Sequence, residues 1–138
     1  MTSKTKNWGF AGLLTLCAGT AGMAFAQGDD MSLLTSLDRG MWQLHAVGGG
    51  PSTVATSQLC LGDPLRLTQV QHGDLSCKHF VVRSSPTTLT VSYSCPGQGQ
   101  GLTTIRKETP RLIQIQSQGI KNNAPFSFSV EGRRAGGC

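Results

Sequence analysis

Three histidines, His45, His72 and His79, are the side chains best able to move protons or bind a metal in this 138-residue chain. A zinc site draws its ligands from short recurring spacings, such as Cys-x-x-Cys or two histidines one helical turn apart. No two of these histidines have that separation, and no Cys-x-x-Cys occurs. A metal site would therefore depend on the fold gathering distant residues. General acid–base chemistry would need His45 or His79 within hydrogen-bond reach of an acid inside a pocket. The acids are few: Asp29, Asp30, Asp38, Asp63, Asp74, Glu108 and Glu131. Most fall in expected loops or at element ends. Asp63, followed by Pro64, reads as a helix cap. Serines are plentiful, but none stands in a Gly-x-Ser-x-Gly elbow, and nucleophilic catalysis needs a nucleophile beside a base and an orienting acid. The glycine runs at 48–50 and 96–101 lack a Gly-Lys-Ser/Thr ending and read as turns, not phosphate loops. The residues offer no catalytic set, no metal set and no cofactor motif. A non-enzymatic domain is favoured over an enzyme.

The cysteines point to a compartment. Lys4 and Lys6 precede a mostly apolar run from Trp8 to Leu16, and small residues lead to Ala24-Phe25-Ala26-Gln27. This is the layout of a secretory signal, with cleavage expected after Ala26. Gly19, Thr20 and Gly22 interrupt the run, which is short of the ~20 apolar residues a membrane span needs. Leu16 before Cys17, where a small residue is wanted, argues against lipidation. Cleavage leaves residues 27–138 as a single domain with Cys60, Cys77, Cys95 and Cys138. An even set in an exported chain reads as two disulfides, with three possible pairings. The chain is expected to be periplasmic or secreted, with no stable membrane span after the signal is removed.

Composition narrows the partners. The net charge of +5 includes two lysines of the signal, so the mature domain carries about +3. Arg133-Arg134 is only a pair. No basic cluster interleaved with aromatics suggests a nucleic-acid footprint.

The elements that must position these residues are mostly strands. Met31, Leu33, Leu34 and Leu37 suggest a short helix or an ordered lead-in within 27–37. Strands are expected at 40–47, 53–61, 77–83, 88–95, 102–107, 111–118 and 125–131, with Gly48 to Ser52, Pro96 to Gly101 and Lys121 to Asn123 as turns. One short helical turn follows Asp63, and 68–75 reads as a polar loop. The fold class is all-β: an antiparallel meander of about seven strands, either a curved sheet or an up-and-down barrel.

The stretch SCKHFVVRSSPTTLTVSYSC at 76–95 fixes one register. A hairpin centred near Pro86 opposes Cys77 to Cys95, His79 to Tyr93, Val81 to Val91 and Arg83 to Leu89. Strand side chains alternate between faces, so these eight share the more apolar, core-side face. Phe80 and Val82 are apolar exceptions on the other face. Directly opposed residues have Cβ atoms about 4.5–5.5 Å apart, near enough for a Cys77–Cys95 bridge. Elimination then pairs Cys60 with Cys138.

LDRGMWQLHAV at 37–47, Cys60-Leu61 followed by Pro64, a cysteine hairpin ending SYSCPG and the terminal EGRRAGGC together resemble the bacterial exported proteins grouped as domain of unknown function 3617. The resemblance spans about residues 37–138. Gln43 departs from it, where an acid is common, as does Gly62-Asp63, where Thr-Pro is expected. It implies a secreted or periplasmic bacterial β domain and supplies no catalytic residues. The expected role is binding, of a small apolar ligand or of an envelope protein. Trp42, Tyr93, Phe126 and Phe128 are the candidate ligand face. The alternatives are an enzyme acting on the envelope and an inhibitor of an envelope-attacking enzyme.

Overall fold

A computed structural model describes residues 30–48 and 57–138. The expected signal at 1–26, Asp29, most of the first glycine-rich turn and the start of the second expected strand lie outside the described residues. The rest forms one seven-stranded antiparallel sheet. A one-turn helix, α1 (Ser32–Thr35), precedes β1 (Gly40–Ala46) and β2 (Ser57–Leu61). Then come β3 (Lys78–Ser84), β4 (Thr88–Cys95), β5 (Gly99–Thr109), β6 (Leu112–Lys121) and β7 (Ala124–Gly136). The spatial order is β2-β1-β7-β6-β5-β4-β3. Strands β3 to β7 form a meander, and the β1–β2 pair joins its far side through β1 and β7. The sheet is open, not a closed barrel, with β2 and β3 at its edges.

This order forces a crossing. β2 and β3 follow each other in sequence yet lie at opposite edges, so residues 62–77 must traverse one face. They do so as two 3-10 turns, Pro64–Thr68 and Val70–His72. Asp63 caps the first, its carboxylate accepting from the Leu65 amide at 3.0 Å, as the Asp63-Pro64 pair suggested. The crossover is tied to the middle of the sheet. The Thr103 hydroxyl on β5 donates to the Thr68 carbonyl at 2.6 Å, and the Lys121 ammonium on β6 to the Gln71 carbonyl at 2.6 Å. Leu67 of the crossover and Leu33 and Leu34 of α1 are buried in the same core as the inward residues of the sheet.

Period-two alternation sets which residues face inward. Leu89, Val91 and Tyr93 on β4, Ile113 and Ile115 on β6, and Phe126, Phe128 and Val130 on β7 are all buried. One inward row crosses five strands: His79, Tyr93, Gly101, Gly119, Phe126. The glycine beside Tyr93 has a spatial cause. A Cβ at Gly101 would lie 2.6 Å from Tyr93 Cζ, so the phenol needs that bare backbone beneath it.

Both expected disulfides form, Cys77–Cys95 and Cys60–Cys138. The first closes the open end of the β3–β4 hairpin. The second ties the C-terminal residue to edge strand β2.

Four sequence expectations need correction. The hairpin register holds from Lys78 to Val81 and then shifts, so that Arg83 opposes Thr90 and Ser84 opposes Leu89. The extra residue of this bulge turns Arg83 away from the core face. The glycine turn after Cys95 is shorter than 96–101, because β5 already begins at Gly99. β7 continues past residue 131 to Gly136, paired with β1. Finally, 68–75 is not simply a polar loop: Val70–His72 form a 3-10 turn, and Thr68, Gln69 and His72 are buried. The Gln69 side-chain amide donates to the Gly73 and Leu75 carbonyls and the Thr68 hydroxyl to the Leu65 carbonyl.

Candidate functional site

The four aromatics of the candidate ligand face are brought to one side of the sheet and covered there. Trp42 is 0% exposed, Tyr93 1%, Phe126 7% and Phe128 5%. The Trp42 indole N–H donates to the Asp38 carbonyl at 2.9 Å. Phe126 stacks on Phe128 and meets His72 edge-on. The Tyr93 phenol lies 3.1 Å from His72 Nδ1. All four are working parts of the packed core.

The histidines separate. His45 is on the outward face, opposite Glu131 across the β1–β7 register. Hydrogen bonds from Arg133 and Gln114 hold the Glu131 carboxyl below the usual carboxylate range. His72 lies in the core, and burial pushes its pKa down, with the Lys121 charge adding to the effect. His79 lines a crevice of about 320 Å3 between the crossover and β3, with Asp63, Arg66, Gln69 and Asp74. Burial also pulls the His79 pKa down, and the nearby Asp63 charge offsets this in part. The acids beside it are engaged elsewhere: Asp63 caps its helical turn and Asp74 pairs with Arg66. His79 Nε2 is buried without a hydrogen-bond partner. The crevice therefore holds an imidazole near two acids, without a hydrogen-bonded acid–histidine pair. Among the described residues no group of three or more His, Cys, Asp or Glu side chains is placed to hold a metal ion.

The opposite face of the sheet is arranged differently. Cross-strand registers align its residues in rows: Lys78, Ser94, Gln100, Ile120, Pro125; then Phe80, Ser92, Leu102, Gln118, Ser127; then Arg83, Thr90, Thr104, Gln116, Ser129. Short hydroxyl and amide side chains dominate. The Thr90 and Thr104 hydroxyls are 3.0 Å apart across β4 and β5. Two shallow grooves run over this face, of about 370 and 260 Å3. Large apolar side chains stand in the open among the polar ones: Phe80 at 61% exposure, Val82 at 57%, Ile120 at 44% and Leu102 at 38%. No described helix or strand lies over them.

Phe80 and Val82 were visible in the sequence as apolar residues on the wrong face of their hairpin. Leu102 and Ile120 were not singled out, because Ile120 fell between expected strands and Leu102 began one. The burial of Gln69 and His72 left no periodic signal, since 3-10 turns are too short to show one.

Comparisons with protein-family models, with curated proteins and with solved structures found no match.

Proposed function

We propose that this chain is a non-catalytic interaction domain of an oxidising compartment, periplasmic or secreted, and that it binds a protein partner through the outward face of its sheet. The observation that carries this reading is the contrast between the two faces. The apolar inner face is filled by the chain's own α1 and crossover. No described helix or strand covers the outer face, which carries exposed apolar side chains, among them Phe80, Val82, Leu102 and Ile120, in a field of Ser, Thr and Gln. Interfaces combine apolar anchors with a polar, hydrogen-bonding surround in this way. The two disulfides support the compartment, since such bonds persist where thiols are not kept reduced. The resemblance to the exported family of domain of unknown function 3617 belongs to the same proposal and rests on the cysteine order and the Gly-Arg-Arg ending. Inhibition of an envelope-attacking enzyme would be one form of such binding.

Carriage of a small apolar ligand is less well supported. Trp42, Tyr93, Phe126 and Phe128 are all buried, and Tyr93 and Phe126 touch His72 of the crossover, which the Thr103–Thr68 and Lys121–Gln71 bonds hold to the sheet. A native mass of the exported protein, taken without reductant, separates the two. The expected species begins at Gln27, is lighter by the hydrogens of two disulfides, and carries no small molecule. A co-purifying apolar compound would contradict the protein-binding reading, and a reduced or uncut chain would contradict the compartment.

A further inference from the structure

We infer that β3 is a strand-addition edge that accepts an extended peptide segment bearing acidic and apolar residues in alternation. This inference rests on the binding role proposed above and names the place and the chemistry of the partner. Among the described residues β3 ends the sheet and pairs with β4 alone. In an antiparallel pair, alternate residues of an edge strand turn their N–H and C=O groups away from the neighbour. Such an edge is a template for one more strand. Natural edges are usually blunted by charges and bulges. Here Lys78, Arg83 and the bulge at Val82 serve that purpose in part. Phe80 and Val82 work against it, since they are the two most exposed large apolar side chains described.

The pattern on the outward side of β3 specifies the complement. Lys78, Phe80 and the bulged pair Val82-Arg83 occupy three successive outward positions. Neither Lys78 nor Arg83 takes part in an ion pair among the described residues. A strand laid along β3 meets cation, apolar surface, then apolar surface with a cation. Opposite charges and apolar pairs directly across strands stabilise, and like charges destabilise. The fitting partner therefore reads acid-x-apolar-x-acid on one face. A second copy of this chain brings Lys and Arg to the same edge and is disfavoured by charge. The β2 edge is a poorer candidate. Cys60 within it is bridged to Cys138, which lies against that edge.

The test is an NMR titration of the oxidised full chain with the terminally blocked peptide Thr-Glu-Thr-Val-Thr-Glu-Thr, up to millimolar concentration. The expected result is saturable shifts at the amides of residues 78–84, weakened about tenfold when both glutamates are replaced by lysine. The same loss is expected for the double variant Phe80→Thr, Val82→Thr, whose spectrum otherwise matches the parent because both side chains are exposed. Equal binding of the lysine peptide, or no shifts at β3, would overturn the inference. Shifts confined to Leu102 and Ile120 would also overturn it while leaving the outer-face reading intact. Concentration-dependent shifts at β3 without peptide would assign the edge to a second copy instead. A small molecule found in the native mass would instead defeat the underlying binding reading.

Discussion

Single residues decide how this sheet holds its cover. A polar chain runs beneath the crossover: Thr103 donates to the Thr68 carbonyl, Ser117 lies 2.8 Å from Thr103, and the Tyr93 phenol reaches His72. Buried polar groups are favourable when matched and costly when not. His72 is the histidine of this polar chain, and both it and His79 have pKa values lowered by burial. The folded chain thus binds protons at these sites more weakly than the unfolded chain. Their contribution to stability is whole above the ordinary histidine value of about 6.5 and is lost as the pH falls below it toward the lowered folded values. The unfolding midpoint is expected to drop between about pH 7.5 and pH 5. The double variant His72→Gln, His79→Gln should be less stable at neutral pH and should flatten that drop. An unchanged drop in the variant would assign it to other groups. None of this network was readable beforehand. Sequence shows that a residue is polar, but not that another strand will supply its partner.

At the scale of elements, the β3–β4 hairpin was the most legible part of the chain, because two alternating runs and a Ser-Ser-Pro-Thr-Thr centre leave few registers open. The Cys77–Cys95 bridge and the His79–Tyr93 and Val81–Val91 pairs followed from that. The bulge at Val82 did not, since one inserted residue leaves the apolar alternation nearly intact. The crossover was the least legible element. Its path is dictated by strand order, and strand order depends on β1 joining β7, a contact between opposite ends of the chain. The two bridges should differ in weight. Cys77–Cys95 spans a sequence separation of 18 and Cys60–Cys138 one of 78. In the chain-entropy account the shorter loop is worth about 3 kcal/mol and the longer more than about 4. Urea unfolding of the oxidised double-serine variants should therefore show the larger loss for the Cys60→Ser, Cys138→Ser pair. A larger loss on removing the hairpin bridge would mean that it acts by fixing native geometry and not through the unfolded chain.

For the molecule as a whole, the all-β class, the strand number and both disulfides were legible, whereas the division of labour between faces was not. The aromatics that looked like a binding face became the core, because a short crossover and one helical turn sufficed to cover them. Exposed apolar residues remained on the side expected to be polar. The open sheet thus has one face packed against its own α1 and crossover and one over which no described helix or strand lies. Leu102 and Leu75 allow a matched comparison. Each is 38% exposed, Leu102 on the outward face and Leu75 in the crossover segment on the other side. The most direct measurement is photocrosslinking in the native compartment, with the reactive group placed at Leu102, at Phe80 or at Leu75. The account predicts a discrete protein adduct from Leu102 and Phe80 and none from Leu75. Adducts from Leu75 alone, or equally from all three positions, would contradict it.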